Sequence, residues 1–459
     1  MSFSIPFGNL EPPVRRSLWA TFWSGLLFWS SLASQLPTFP LFVRSLGANF
    51  VELGWVMGAF AVGLLSCRAK MGFWSDTKGR RFVMRIGLTV ALVVPIIYAI
   101  LPSLPWVTVM RAVHGISVAA FATAYGALAA DLAPAHQRGE VIGYMSLVNP
   151  LGLAFGPALG GFLMEHTNYQ TLFLTAALLA GIGLWLTTGI NECREFAVAS
   201  PLKNLATAAK SRNITEDSSD SSESSAAHDS TPEINKQESN QEINKSISQV
   251  TVKAGFWETL LNPRIRIGAF MLLIIGLVFG SLSTFLPVLM KAKNIPLNAG
   301  LFYMMAAVAS LFTRLFLSKW SDRLGRGLFV SIGLCFYGAS MLIIAEANSS
   351  SLFLLSGALE GIGSGLFVPA VMSLVADRTL PHERGYVLGL TWIGFDLGIA
   401  TAGPILGACV DWLSLTGVFM VAAGLSVIAL LVFCLYGNQT VSSSLGFAMG
   451  RARDGYALD

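Results

Sequence analysis

The chain has 459 residues, 54% of them hydrophobic and only 12% charged, with a mean hydropathy of +0.63. So few charges cannot cover a water-soluble globule of this length, which excludes the soluble class and places the chain in a bilayer. The net charge of +4 does not call for an acidic partner such as nucleic acid, because the basic residues gather in alternate loops, as membrane topology requires.

A helix crosses a bilayer with roughly 20 mainly apolar residues, and runs of that length recur about twelve times. The first six are predicted at about 17–42, 51–70, 82–102, 106–131, 139–164 and 169–190. The first follows Pro12, Pro13, Arg15 and Arg16, is too long for a signal-peptide core and shows no clear cleavage site, so it is expected to be retained. From about 191 to 262 the chain turns polar, and Ser211 to Ser246 is dominated by Ser, Glu, Asp, Asn and Lys, a composition that cannot offset the entropy of ordering. Apolar runs resume at about 264–290, 297–318, 328–346, 351–377, 384–408 and 413–437. The short alternating segments of an outer-membrane barrel are missing.

The expectation is an all-α polytopic membrane protein of twelve transmembrane helices: a six-helix bundle at 1–190, a disordered cytoplasmic linker at 191–262, a second six-helix bundle at 263–437 and a cytoplasmic tail at 438–459. With the N-terminus in the cytoplasm, only Arg44, Lys291 and Lys293 of the 30 Lys and Arg fall in exterior loops. That is the positive-inside pattern, with both termini inside. The five cysteines are scattered, without metal-ligand spacing.

The chain is written twice. Gly72-Phe73-Trp74-Ser75-Asp76-Thr77-Lys78-Gly79-Arg80-Arg81 is echoed by Ser318-Lys319-Trp320-Ser321-Asp322-Arg323-Leu324-Gly325-Arg326, with Asp76 and Asp322, Gly79 and Gly325, and Arg80 and Arg326 each 246 positions apart. The same interval of 246 relates Arg68 to Arg314, Gly115 to Gly361, Asp131 to Asp377 and Arg138 to Arg384, and Gly156-Pro157 reaches Gly403-Pro404 with one residue of slip. Two bundles related by a parallel repeat place a substrate path between them.

Over everything except the linker and the ends, the chain resembles the major facilitator superfamily. Gly72 to Arg81 is similar to the loop motif after the second helix, with Thr77 where an Arg is usual; Arg111-Ala112-Val113-His114-Gly115 is similar to the fourth-helix element; and Gly152, Gly156, Pro157, Gly160 and Gly161 match the fifth-helix pattern of proton-driven exporters. The resemblance implies a cytoplasmic gate in which Asp76 meets the start of the eleventh helix near Arg384 and Arg80 meets Asp131, with Gly79, Arg81 and Arg138 in the first copy. By the repeat, Asp322, Gly325, Arg326 and Asp377 form the second copy, Asp322 facing the start of the fifth helix near Glu140.

Charges inside spans cost roughly 2.5–3.5 kcal/mol each on the insertion scale, so each needs a reason. Arg111 and His114 lie one turn apart on the fourth helix; Glu360 holds the repeat position of His114, and Asp396 reaches a similar depth in the eleventh. These four are the candidates for proton coupling in a central cavity, since alternating access to water switches the protonation of such groups. Ser24, Ser34, Gln35, Asn149, Trp392 and Phe395 are further possible cavity-lining groups. Pro157 bends the fifth helix, and its glycines let a neighbour approach closely.

Phosphate-binding loops, zinc-type clusters and nucleophile elbows are not found, so an enzyme is not expected and neither is a cofactor. The energy source is expected to be a proton gradient. The leading expectation is efflux of a small organic or drug-like compound in exchange for protons, by a monomer in the plasma (inner) membrane. A proton-coupled uptake symporter is the alternative, and a non-cycling lipid- or pigment-binding protein a second one.

Overall fold

The computed structural model describes residues 10–134, 137–191, 256–380 and 383–458, without the side chains at 256–257 and 318–323. Regular structure among these residues is helical throughout. In chain order the helices are α1 (Pro12–Ser34), α2 (Phe39–Ser45), α3 (Phe50–Lys78), α4 (Arg80–Ile100), α5 (Leu104–Leu132), α6 (Arg138–Ser146), α7 (Val148–His166), α8 (Tyr169–Leu186), α9 (Phe256–Leu261), α10 (Arg266–Ala292), α11 (Ala299–Leu324), α12 (Arg326–Glu346), α13 (Ser350–Asp377), α14 (Arg384–Tyr436) and α15 (Val441–Ala448). Apart from the six-residue α9, the expected linker lies almost wholly outside the described residues.

Among the described residues, eleven helical segments are long and apolar enough to cross a membrane, with α1 running on into α2 and α6 into α7. The last, α14, has 53 residues, roughly 80 Å of helix at 1.5 Å per residue. It is interrupted at Ser414 (φ 62, ψ 166), where the Ser414 hydroxyl accepts from the Gly417 N–H at 3.2 Å and caps the second stretch of helix.

Local chemistry sets several helix starts. Asn49 and Glu52 form a reciprocal capping box at the head of α3, with both bonds at 2.8 Å. Asn298 caps α11 through Gly300 N–H at 2.7 Å. The charged stretch from Gly72 is not a loop: it forms the last two turns of α3, and only Gly79 separates α3 from α4. Gly79 has φ 108 and its repeat partner Gly325, between α11 and α12, has φ 94, a region open to glycine and strained for other residues.

The described residues up to 191 and from 263 onward pack as one compact unit. One apolar cluster joins Phe39, Phe42, Leu53, Tyr98 and Phe173 of the first half to Phe285, Phe302, Phe353 and Phe419 of the second. A second cluster, containing Leu18, Leu64, Met71, Val83 and Met84, belongs to the first half alone. The halves therefore merge at the end of the helices that carries Phe50 and Asn298, and the first half keeps a separate core toward the end that carries Asp76.

The merging end is built on repeat-related glycines. A Cβ on Gly54 of α3 would fall 2.1 Å from the Gly403 carbonyl of α14, and a Cβ on Gly300 of α11 would fall 2.1 Å from the Pro157 carbonyl of α7. Gly54 and Gly300 are 246 positions apart in the chain, and Gly403 follows Gly156 by 247. The same sequence twice thus makes two equivalent seams between the halves, because only a bare Cα lets two helix backbones approach this closely.

Candidate functional site

Four ionisable side chains singled out in the sequence are buried deep in spans: Arg111 at 7% exposure, His114 at 0%, Glu360 at 8% and Asp396 at 7%. They do not form one cluster but fall in three places: Arg111 with His114, Glu360, and Asp396; the arginines nearest in charge to the two carboxylates are Arg68 and Arg314.

Asp396 bridges the halves. Arg68 on α3 places Nη1 2.8 Å from Asp396 Oδ2 on α14, an ion pair without the alignment of a hydrogen bond. Arg68 lies 14 residues, about 21 Å, along α3 from Gly54, whereas Asp396 lies seven residues, about 10 Å, along α14 from Gly403. The long arginine side chain spans that mismatch by leaning toward the head of its helix. Close backbone contact at the seam thus gives way to a single side-chain bridge further along.

Glu360 lies within the second half. Arg314, Tyr303 and Tyr337 are its electrostatic neighbours, and Tyr303 is held by its hydroxyl donating to the Leu282 carbonyl at 3.0 Å. Glycines position this group: Gly361, beside Glu360, packs directly on the Ala306 carbonyl of α11.

Arg111 and His114 form the first-half counterpart. The guanidinium lies 4.2 Å from the Phe39 ring centre and 4.6 Å from that of Phe60. The imidazole is edge-on to Phe60 at 5.8 Å and tilted against Tyr98 at 6.0 Å. Gly115 and Gly63 permit this, since a Cβ on either would strike backbone oxygen of the facing helix at 1.9 or 1.7 Å.

At the opposite end from the seams, the two motif copies make matching contacts. Arg80 Nε donates to Asp131 Oδ2 at 3.2 Å, Arg80 Nη1 donates to the Ser75 hydroxyl at 3.1 Å, and Arg80 also pairs with Asp76. In the second copy Arg326 pairs with Asp377. Arg138 donates to the Ala130 carbonyl at 3.2 Å and Arg384 to the Ala376 carbonyl at 3.0 Å, the same contact 246 residues on. Arg81 donates to the Thr188 carbonyl at 3.0 Å. The expected contact of Asp76 with the start of the eleventh helix near Arg384 is not formed: Asp76 is exposed and pairs with Arg80 within its own half. The halves meet at the glycine seams, which leaves this latch open. The Asp322 side chain lies outside the described residues.

The fifth-helix glycines all face neighbours. A Cβ on Gly152, Gly156 or Gly160 would meet α1 at Trp29, Ser30 or Ser34, and one on Gly161 would meet Asn298 of the second half at 1.8 Å. Pro157 lies inside α7 and presents its carbonyl to Gly300. Of the further possible cavity-lining groups, Ser24 is instead occupied within the first half, donating to the Gly183 carbonyl at 2.8 Å.

Sequence reasoning missed Arg68 and Arg314 as site residues, although their shared interval of 246 was already a signal. Tyr98, Tyr303 and Tyr337 carried none, because an aromatic residue in an apolar run looks the same whether it faces lipid or a buried charge.

The sequence profile of the Major Facilitator Superfamily matches residues 21–330 and 307–452. The chain belongs to this family. It is a multi-pass integral membrane protein. The chain is 24% identical over 165 residues to a quinolone resistance protein, NorA, of Staphylococcus aureus, covering 36% of this chain and 42% of that one. It is 31% identical over 149 residues to multidrug resistance protein 1 of Bacillus subtilis, covering 32% of this chain and 38% of that one. These matches span less than half the length of either relative. Among solved structures, a D-xylose-proton symporter superposes with a TM-score of 0.69 at 17% identity, covering 91% of this chain and 96% of the other, a likeness of fold alone.

Proposed function

We propose that this family member exports a small organic or drug-like compound in exchange for protons, by alternating access between its two halves. The observation that carries the proposal is the Arg68–Asp396 pair. It joins the halves at 2.8 Å, so it cannot survive their separation, and protonating Asp396 removes the attraction that holds it. Proton binding and conformation are thereby linked through one bond, the condition for coupled transport. Glu360 facing Arg314 supplies a second carboxylate that a proton can neutralise.

The export direction rests on the fifth-helix glycine pattern, supported by the two resistance proteins among the relatives. The break at Ser414 supports division of α14 into two spans, and with it twelve spans in two six-helix bundles, the polar segment and the tail outside them. Basic residues gathered at the Asp76 end support the reading that this end and both termini face the cytoplasm. In that orientation the glycine seams lie at the outer end, and Asp76 at the inner end pairs within its own half.

The test uses purified protein in proteoliposomes, with a ligand first identified by thermal stabilisation. An imposed pH gradient should drive the ligand out against inward proton movement, and Glu360→Gln or Asp396→Asn should abolish the coupling. Ligand and protons moving in the same direction would instead establish a symporter. Flux indifferent to pH in both variants would remove proton coupling altogether.

A further inference from the structure

We propose that the buried cluster around Arg111 is a subsite for the acidic group of an aromatic organic anion. This deepens the transporter reading by naming the substrate class at one of its buried charges.

The argument begins with charge. Asp396 is ion-paired with Arg68, and Arg314 is the electrostatic neighbour of Glu360. Arg111 has no such partner: among the described residues, no acidic side chain pairs with it. A guanidinium is permanently charged, and an unpaired one in a span is costly unless something compensates it.

The second observation is a concentration of unused hydrogen-bonding groups. Arg111 Nε and both ring nitrogens of His114 are buried without a hydrogen-bond partner, three of the eight such side-chain atoms among the described residues, and the Tyr98 hydroxyl, which lies beside the Arg111 guanidinium, makes no aligned hydrogen bond. Buried polar atoms are nearly always satisfied. Three left open together on α5, facing Tyr98 of α4, point to a group that arrives from outside. Gln35 Oε1, one turn before Phe39 on the first span, is a further one.

The chemistry of these groups selects the guest. Arg111 and Tyr98 offer donors, His114 offers at least one, and the local charge is positive, so the site repels an ammonium and attracts a carboxylate or sulfonate. Phe39 and Phe60 cover the guanidinium at 4.2 and 4.6 Å. Aromatic rings this close to the guanidinium carbon satisfy its charge only in part, and its N–H fork suits a planar, bidentate acid. Those two rings and Tyr98 also provide aromatic walls for the body of the ligand.

Three matched probes decide the matter: naphthalene-1-carboxylate, naphthalene-1-carboxamide and 1-naphthylmethylammonium. Binding to the purified full-length chain is followed by thermal shift and calorimetry. The carboxylate should stabilise the protein in a dose-dependent way, with the amide and ammonium at least about tenfold weaker, the scale of one charge-assisted bond. Arg111→Gln should remove the preference, and Tyr98→Phe should weaken carboxylate binding even if Arg111→Gln proves unstable. Equal response to all three probes, preference for the ammonium, no response to any, or a carboxylate preference that survives both substitutions would each overturn the proposal. Proton movement is not read in this experiment, so its failure leaves the coupled-export reading to its own test.

Discussion

Arg68 on α3 and Asp396 on α14 are paired at 2.8 Å across the two halves of the molecule, beyond the point where the helix backbones cease to touch. The Arg68 side chain is 30% exposed and that of Asp396 9%, so the pair is partly wet on one side only. Removing either charge is expected to lower pH-driven flux at least about tenfold, the equivalent of ~1.4 kcal/mol. The double variant Arg68→Gln with Asp396→Asn should be no worse than the poorer single one, because the two charges act as a unit. Additive losses in a double-mutant cycle of flux would show that they act separately.

The glycine seams should be intolerant of any side chain. Ala at Gly54 or Gly300 places a methyl group 2.1 Å from a carbonyl oxygen of the facing helix, well inside contact distance. Either substitution should hold the halves apart at that end. In a background without native cysteines, a Cys at Ala400, which lies against Gly58, should then be labelled faster by a membrane-impermeant maleimide. Unchanged labelling together with unchanged flux would mean that the seams need not close.

The tail is a folded clamp. Arg378, with its side chain fully buried, donates to both Asp454 oxygens at 2.7 and 2.9 Å and to the carbonyls of Gly437 and Arg264 at 2.7 and 3.2 Å. It ties the end of α13 to the end of α14, the approach to α10 and the last residues of the tail. Asp454→Asn leaves the guanidinium buried without its carboxylate, a loss of roughly 3–5 kcal/mol for a pair of this kind. A lower melting temperature and earlier proteolysis of the tail are expected; a variant that melts and resists protease like the parent would contradict this account.

Gly325 gives a purely conformational test. Its φ of 94 lies where only glycine is comfortable, yet among the described residues, its chain neighbours aside, the nearest atom to an added Cβ is 3.8 Å away. Gly325→Ala should therefore cost roughly 1–3 kcal/mol through backbone strain alone. The measurement is thermal stability, and a variant as stable as the parent would show that the turn relaxes without loss.

Much of the architecture was legible because two of its rules are local. Span length and apolar content located the helices, and the interval of 246 positions paired Asp76 with Asp322 and Arg68 with Arg314. Boundaries were less so: Gly72 to Lys78 continues α3, since nothing in those residues stops a helix before Gly79. Arg111, His114, Glu360 and Asp396 were visible as costly charges in apolar runs, but their partners were not. A span shows which residues share its face, whereas the residue opposite depends on how two helices rotate and approach.

By itself the sequence determined the membrane class, the repeat and the identity of the unusual charges, properties fixed by composition and by distance along one chain. Only the tertiary structure decided that Arg68 meets Asp396, that Arg314 faces Glu360 and that Arg111 meets aromatic rings in place of a carboxylate. It also decided that the halves close at Gly54 and Gly300 and that Asp76 turns back to Arg80. These outcomes depend on helix packing between distant segments, where a glycine sets how near two backbones come and that distance sets which side chains can reach each other.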